Sequence, residues 1–258
     1  MKDISMLLTD TQKERYNRNI QIKGFGEDGQ IKLLSSSVLV IGAGGLGSSA
    51  ILYLAAAGIG TLGIADGDIV DLSNLQRQIL HTVSDIGKLK AVSAKEKIEL
   101  LNPDVKILTY PKKIIAENIG TIIRDYDFIV ECSDNSTCKI LTNDTCVLLQ
   151  KPFSYCGVLG SLGQIMTYAP GYACVRCVFE VPGPIALPTF GDVGILGAVA
   201  GTFGALQAGE AIKFLTGYGK PLTGTMLQLD LKDGTFKRKT VKRDKNCPIC
   251  GKHPTIHL

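Results

Sequence analysis

Four charged residues follow a glycine-rich loop in this sequence, and their types suit chemistry on a bound nucleotide. The apolar run Val38–Ile41 leads directly into this loop. A strand, a GxGxxG-type loop and a helix in this order place bare backbone amides where they hold phosphate. The loop glycines are Gly42, Gly44, Gly45 and Gly47, and the charged residues that follow are Asp66, Arg77, Lys90 and Asp134.

These charges favour ATP over a dinucleotide as the ligand. The glycine loop alone is typical of NAD or FAD sites, in which a carboxylate such as Asp66 holds ribose hydroxyls. Arg77 and Lys90 change that interpretation, because a triphosphate under attack needs more positive charge than a bound pyrophosphate. Asp134 follows another predicted strand, where a magnesium ligand is often placed. Arg77 or Lys90 alone would indicate only a surface charge, and Asp66 could be a solvated loop residue, so the hypothesis depends on their combination.

The segments around these residues predict an α/β fold with a Rossmann-like, mostly parallel sheet and helices on both faces. Strand and helix patterns alternate from residue 38 to residue 157, as in α/β folds. Ligands of such sheets bind beyond the carboxyl ends of the strands, so Asp66, Asp134 and the glycine loop should line one crevice. The predicted strands are Val38–Ile41, Thr61–Ala65, Val105–Tyr110, Phe128–Cys132 and Phe153–Gly157, and the predicted helices are Leu46–Ala57, Lys88–Leu101, Ala116–Arg124 and Ser136–Leu149.

The two ends of the chain depart from this alternation. A helix should begin near Thr9 or Asp10 and carry residues 15–18, because Thr and Asp cap exposed helical amides. Prolines in Val181–Phe190 predict a mobile loop. We predict one domain over residues 1–258, with a helical arm (1–30), a nucleotide-binding core (37–157) and a C-terminal part (158–258). The strands Gln164–Tyr168, Thr225–Leu231 and Thr235–Val241 should extend the sheet in antiparallel fashion, with Lys232-Asp233-Gly234 as a hairpin turn.

Two CxxC pairs form a second chemical signal. They are separated by residues 178–246, so a shared metal would fasten distant segments together. Four thiolates fill a tetrahedral zinc site and leave no open position for substrate. The alternatives are two disulfides, which the lack of a visible secretory signal disfavours, or unrelated cysteines. The predicted zinc ligands are Cys174, Cys177, Cys247 and Cys250, whereas Cys132, Cys138, Cys146 and Cys156 should be buried small hydrophobes.

Composition and charge exclude several classes of protein. The chain has 258 residues, 45% of them hydrophobic, and a net charge of +4, which is too small to imply nucleic acid. Val193–Gly209 is uncharged but shorter than a membrane span, and predicts a buried helix. We therefore expect a cytoplasmic protein without a membrane segment. The basic stretch Lys237–Lys245 is typical of a solvated edge strand. Glycines at 194, 197, 201 and 204 share one helix face, which fits either core packing or a dimer interface.

The motifs together resemble the MoeB/ThiF/HesA family, relatives of ubiquitin-activating enzymes. The resemblance spans nearly the whole chain and is carried by RYNRN, GAGGLGS, DGDIVDLSNLQRQ, GKLKA, SDN, CVRC and CPIC. It implies an adenylyltransferase that uses ATP and Mg²⁺, with structural Zn²⁺. The substrate implied is the C-terminal glycine carboxylate of a small ubiquitin-like sulfur carrier ending in Gly-Gly, which residues 158–258 would bind. Molybdopterin and thiamine biosynthesis are both compatible pathways.

The resemblance also implies residue roles. Arg18 would reach the phosphates of a partner subunit, which implies a homodimer. Arg18, Arg77, Lys90 and Asp134 would act in catalysis, and the nucleotide would contact Gly42, Gly44, Gly45, Gly47, Asp66, Asp68, Asn74, Arg77, Gln78, Lys90, Asp134 and Asn135.

One feature departs from the family members that form a thioester or persulfide. They carry a cysteine before the long helix, whereas Val178–Gly194 contains none. We therefore expect an enzyme that stops at the adenylate and leaves sulfur transfer to another protein. Three alternatives stay open: activation of a peptide or small-molecule carboxylate, a dinucleotide oxidoreductase, and an inactive partner in a heterodimer.

Overall fold

The computed structural model describes residues 7–179 and 194–257, and its eight strands form one sheet. The order is β3-β2-β1-β4-β5-β6-β7-β8. Strands β1 to β5 pair in parallel, and β6, β7 and β8 continue the sheet in antiparallel fashion. The predicted fold is confirmed. The strands are β1 (Ser37–Ile41), β2 (Thr61–Ala65), β3 (Lys106–Tyr110), β4 (Phe128–Glu131), β5 (Phe153–Leu159), β6 (Leu162–Tyr168), β7 (Thr225–Asp230) and β8 (Thr235–Thr240).

Helices cover both faces of the sheet. They are α1 (Asp10–Arg15), α2 (Asn17–Ile20), α3 (Gly26–Leu34), α4 (Gly45–Ala57), α5 (Lys90–Leu101), α6 (Ala116–Ile123), α7 (Ser136–Leu148), α8 (Val175–Val178) and α9 (Gly197–Thr216), with 3-10 turns at Leu72–Asn74 and Val83–Asp85. Val38 and Val40 of β1 enter a core with α4, α5 and α9, whereas Leu39 and Ile41 enter a second core with α6 and α7. A strand buried on both faces has to be apolar there, as the four buried residues Val38–Ile41 are.

The N-terminal arm differs from the single helix that the sequence predicts. The side chain of Thr9 caps α1 in a capping box, as expected, but the helix ends at Arg15 and α2 starts at Asn17. Tyr16 lies between them with φ −99° and ψ 12°, outside helical geometry. Its ring is buried, and its hydroxyl accepts a hydrogen bond from Asn102 Nδ2 at 2.9 Å. Burial of this ring interrupts the helix and fastens the arm to the domain.

The long helix α9 packs against the sheet and against α4. A Cβ on Gly204 would lie 2.0 Å from the carbonyl oxygen of Leu46, and one on Gly197 would lie 2.4 Å from that of Gln76. These two glycines therefore serve packing within the chain. Gly194 and Gly201 have open space instead, so the dimer interpretation stays untested at those positions. No helix in the described part of the chain is both long and apolar enough to span a membrane.

The antiparallel extension forms as its turn residues predict. The chain reverses between β7 and β8 after Asp230, and Gly234 adopts φ +70°, which glycine tolerates best. Strand β8 lies at the sheet edge and exposes its basic residues, as lysine-rich edge strands do to resist pairing. The predicted mobile loop at Val181–Phe190 lies outside the described residues.

Candidate active site

A cavity of about 1640 Å³ lies beyond the carboxyl ends of the parallel strands and continues across the antiparallel strands. Its lining includes the glycine loop after β1 and Lys237 of β8. The predicted site residues that line it are Gly42, Gly44, Gly45, Asp66, Asp68, Arg77, Gln78, Lys90, Asp134 and Asn135. The strand ends thus bring together residues that lie far apart in the sequence, as the α/β pattern requires.

Close packing explains two of the loop glycines. Gly42 has φ +97°, and a Cβ there would lie 2.7 Å from the carbonyl oxygen of Cys132. A Cβ on Gly47 would lie 1.9 Å from the carbonyl oxygen of Gly42. These glycines let the loop fold tightly at the start of α4. Gly44 and Gly45 line the cavity, where the absence of side chains lets a ligand approach the backbone.

The carboxylate of Asp66 joins two loops. It accepts hydrogen bonds from the backbone N–H of Ala43 at 2.7 Å and from that of Asp68 at 2.8 Å. Burial raises the pKa of Asp66, while those two hydrogen bonds and the charge of Lys90 act in the opposite direction. The carboxylate is therefore fixed beside the glycine loop.

Both predicted cations border the cavity, each with one local contact. Lys90 begins α5, is buried, and pairs with Asp68 at 3.2 Å between Nζ and Oδ2. Arg77 is half-buried and donates a hydrogen bond to the carbonyl of Ser73 at 3.2 Å. Gln78 is only 4% exposed, and its Oε1 has no hydrogen-bond partner among the described residues. A buried acceptor without a partner is costly, so this atom fits a hydrogen bond from a ligand.

The carboxyl end of β4 presents Asp134 to the cavity. Asp134 is exposed and lies three residues beyond the strand. The next residue, Asn135, caps α7, and its Oδ1 accepts a hydrogen bond from the backbone N–H of Cys138 at 2.8 Å. The structure therefore gives the Asn135 oxygen a structural role, and leaves the Asp134 carboxylate available to a cation.

Three predicted residues do not line the cavity. Gly47 lies against the loop backbone instead. Asn74 completes a capping box, in which its Oδ1 accepts a hydrogen bond from the backbone N–H of Asp71 at 3.2 Å. Arg18 is exposed on α2 and contacts Gln21 of its own arm.

Sequence reasoning missed two polar groups behind the site. Lys139 of α7 borders the cavity and donates to Glu131 Oε2 at 2.5 Å and to the carbonyl of Cys156 at 2.7 Å. Burial is the largest single effect and lowers the pKa of Lys139, but Glu131, Tyr155 and Cys156 together raise that pKa above its ordinary value. His81 is the second group, and it contacts the glycine loop. The eight-residue spacing of the ion pair gives no recognisable signal, because it depends on β4 and α7 being adjacent.

The four cysteines outside the two CxxC pairs are buried free thiols. Burial raises the pKa of Cys132, Cys138, Cys146 and Cys156. A thiol of this kind is a poor nucleophile, because the thiolate is the reactive form. This agrees with the expectation that they act as small hydrophobes.

The two CxxC pairs meet beside the second core. The sulfur atoms of Cys174, Cys177, Cys247 and Cys250 all lie within 4.8 Å of one another. The first pair is anchored to α7, because Arg176 forms an ion pair with Asp144 at 2.8 Å. Four converging sulfurs could hold a metal ion, and they connect the end of β6 to the segment after β8.

The chain is similar to several known proteins. Residues 16–249 match the ThiF family. The sulfur carrier protein adenylyltransferase of Thermus thermophilus is 39% identical, over 97% of this chain and 95% of that protein. The adenylyltransferase and sulfurtransferase MOCS3 of Drosophila virilis is 43% identical over 94% of this chain, which spans about half of that protein (54%).

A solved structure shares the fold. The crystal structure of E. coli MccB with MccA-N7isoASN has a TM-score of 0.85 and 23% identity, over 94% of this chain and 76% of that one.

Proposed function

This chain belongs to the ThiF family, and from that premise we propose that it adenylates the C-terminal glycine carboxylate of a small ubiquitin-like sulfur carrier. ATP is the second substrate and pyrophosphate the second product. The observation that carries the proposal is the cavity that holds the glycine loop, Arg77, Lys90 and Asp134 together. The Thermus relative, which matches over nearly its whole length, is named for the same activity.

The reaction needs positioning and charge rather than a base. A carboxylate oxygen attacks the α-phosphorus of ATP, the bond from that phosphorus to the β-phosphate oxygen breaks, and pyrophosphate leaves with the electron pair. Both reactants are anions, so they repel each other until cations and amides offset their charge. Donors fixed before reaction stabilise the developing charge most effectively. Arg77 and Lys90 supply that charge at the cavity wall, and the amides of Gly44 and Gly45 hold phosphate oxygens.

The remaining polar groups fit the rest of ATP. Asp66 would accept hydrogen bonds from ribose hydroxyls, and the unpaired Oε1 of Gln78 would accept one from the nucleotide. Asp134 supplies the type of oxygen ligand that Mg²⁺ prefers, and the bound ion would neutralise phosphate charge. The chain's own contribution is to hold this carboxylate at the end of β4, opposite the glycine loop.

Zinc is the metal that best fits the four cysteines. The sulfur–sulfur distance is 3.6 Å between Cys174 and Cys247 and 3.3 Å between Cys177 and Cys250. Tetrahedral zinc with bonds of about 2.3 Å to sulfur requires similar separations. A site closed by four thiolates has a structural role, and thiolates survive best in a reducing compartment such as the cytoplasm.

The cavity has room for an extended chain end beside the nucleotide. Beyond the glycine loop it runs past Leu162, Gln164 and Gln228 to Lys237, over the antiparallel strands. Its volume of about 1640 Å³ exceeds the roughly 300–1,000 Å³ of an ordinary small-molecule site. We assign this second half to the carrier's C-terminal tail. Because residues 178–194 contain no cysteine, the product released is the adenylate.

A homodimer would add a further cation, Arg18, to the site. Arg18 lies outside the cavity of its own chain, on an arm fixed by the buried Tyr16. Large apolar side chains are exposed in the same chain segment as Arg77, including Leu72, Ile79 and Val83 at 67%, 62% and 71%. We propose that they form a patch of the kind that marks an interface. A second copy that covered this patch would bring its Arg18 towards the phosphates.

Carrier-dependent exchange of pyrophosphate into ATP tests the proposal. The enzyme would be assayed with small ubiquitin-like proteins that end in Gly-Gly, and with the same proteins lacking both glycines. Exchange should require the intact tail and should fall in the Lys90→Ala enzyme but not in the Lys95→Ala control, which removes a half-buried lysine of the same helix that pairs with Glu99. Exchange supported only by free peptides, or by no carboxylate at all, would contradict the carrier assignment.

A further inference from the structure

His81 lies directly behind the glycine loop, and the reaction above gives it no role. Its ring is only 4% exposed. Nε2 lies 2.9 Å from the carbonyl oxygen of Ala43, and Nδ1 lies 2.9 Å from the hydroxyl oxygen of Ser93. The imidazole thus joins the loop that receives phosphate to the helix that begins with Lys90.

These partners define the proton positions on the ring. A carbonyl oxygen only accepts, so the hydrogen bond to Ala43 requires a proton on Nε2. Nδ1 of the neutral ring then accepts from the Ser93 hydroxyl. Burial lowers the pKa of His81; the Ala43 carbonyl raises it, the charge of Lys90 lowers it, and Asp85 and Asp66 raise it. The neutral Nε2–H tautomer matches both contacts.

The hydrogen bond to Ala43 determines where the next amide points. In a planar trans peptide the C=O and the following N–H lie in opposite directions, and the described residues contain no cis peptide. The carbonyl of Ala43 is directed to His81, so the N–H of Gly44 is directed away from it. Gly44 lines the cavity. The N–H of Ala43 itself donates a hydrogen bond to Asp66. The peptide groups on both sides of Ala43 are therefore fixed.

We infer that His81 is a positioning residue, which orients the Gly44 amide towards the phosphates. It also holds the glycine loop in a fixed position relative to α5, the helix that carries Lys90. The inference rests on the proposed ATP site. The ring lies behind the loop and acts on the nucleotide only through Ala43 and Ser93.

The first test uses the wild-type protein. The ¹⁵N chemical shifts of the His81 ring nitrogens report which nitrogen carries the proton, independently of any activity. We expect the neutral Nε2–H tautomer at pH 7.5. A ring protonated only on Nδ1 would overturn the inference, because Nε2 could not then donate to the Ala43 carbonyl.

The second test compares two amides of different length. The side-chain amide nitrogen of Gln reaches the position of His Nε2, whereas that of Asn reaches only the position of Nδ1. ATP affinity, measured by calorimetry with Mg²⁺, should fall about tenfold in His81→Asn and stay within about threefold of wild type in His81→Gln. Equal losses in both variants, or no loss in either, would overturn the inference. Thermal unfolding of each variant separates lost binding from lost folding.

The two proposals fail in different ways. A wild-type protein that does not bind ATP would contradict the proposed function. A wild-type protein that binds ATP, with an Nδ1–H ring or with equal affinities in the two variants, would contradict only the role of His81.

Discussion

The carboxyl edge of the sheet, where the nucleotide would bind and which we call the nucleotide edge, brings together polar residues from distant segments. The four-cysteine cluster does the same. The two regions differ in how many of these polar groups already have partners. At the nucleotide edge Asp134 is exposed, Arg77 has one backbone contact, and Gln78 Oε1 has no partner in the described parts of the chain. In the cluster the four sulfurs face one another, and three of the four cysteines are buried. Polar groups at the edge are left available to a ligand, whereas the four sulfurs of the cluster could all be satisfied by one metal ion.

This difference distinguishes polar groups that serve the reaction from groups that stabilise the fold. Buried or unpaired polar groups cost folding free energy, and their presence in a cleft is typical of a functional site. Burial raises the pKa of Asp66 and so disfavours the charged carboxylate beside the glycine loop. Closed thiolate sites instead contribute folding free energy outright. Substitutions in the two regions should therefore affect different measurements.

The largest expected effect is on stability, in the cluster. Cys250→Ser should lower the free energy of unfolding by several kcal/mol, because a structural zinc site is coupled to folding. Its kcat per folded molecule should stay near that of wild type. The matched control is Cys146→Ser, which makes the same change at a buried thiol outside the cluster and should cost about 1–3 kcal/mol. Urea unfolding with zinc analysis of each protein would measure both, and equal losses would argue against a metal.

The next effect is on rate, at the nucleotide edge. Arg77→Ala, Lys90→Ala and Asp134→Ala should each slow pyrophosphate exchange about a hundredfold or more, which corresponds to roughly 2.7 kcal/mol of transition-state stabilisation. The unfolding midpoint of the Asp134→Ala protein should stay close to that of wild type, because Asp134 is exposed. Cys132→Ala and Cys156→Ala should retain exchange when folded. Loss of exchange in those two, with the charged variants active, would reverse the assignment of roles.

A third prediction tests whether the edge is completed by a second subunit. Arg18→Ala and Asp134→Ala proteins, each inactive, are mixed under conditions that exchange subunits. If Arg18 acts in trans, one site of each mixed dimer contains both residues, and activity should return to at most about a quarter of wild type. Proven exchange without recovery, or a fully active monomer, would place Arg18 outside the neighbouring site.

The smallest effect is a pH dependence of stability at the back of the edge. Burial lowers the pKa of His81 in the folded chain below its ordinary value near 6.5. As the pH falls from about 7 to 5, the unfolded chain binds the proton first, so the free energy of unfolding should fall by up to about 1.4 kcal/mol per pH unit. His81→Gln cannot titrate there and should lack this component. If the free energy of unfolding varied with pH identically in wild type and in His81→Gln, this prediction would be wrong.

The sequence predicts the parts of the molecule whose signals are local. The mostly parallel sheet with helices on both faces follows from alternating apolar strands and helices, and the spacing within the two CxxC pairs identifies the four cysteines that converge. The break at Tyr16 was not predictable, because it depends on a hydrogen bond to Asn102, which lies far along the chain. His81 was missed for the same reason: its partners Ala43 and Ser93 become neighbours only after the sheet has formed. Local patterns give elements and ligand sets, whereas buried polar contacts require the tertiary structure.

The division between a reactive edge and a structural cluster is tested most directly by intact mass spectrometry. The wild-type enzyme would be incubated with ATP, Mg²⁺ and a Gly-Gly carrier that supports exchange, and the masses of both proteins would be recorded before and after reduction. We predict a carrier heavier by one AMP and an enzyme of unchanged mass, because charges at the edge perform the chemistry and the cysteines do not. A covalent carrier–enzyme adduct that thiols release would contradict the account.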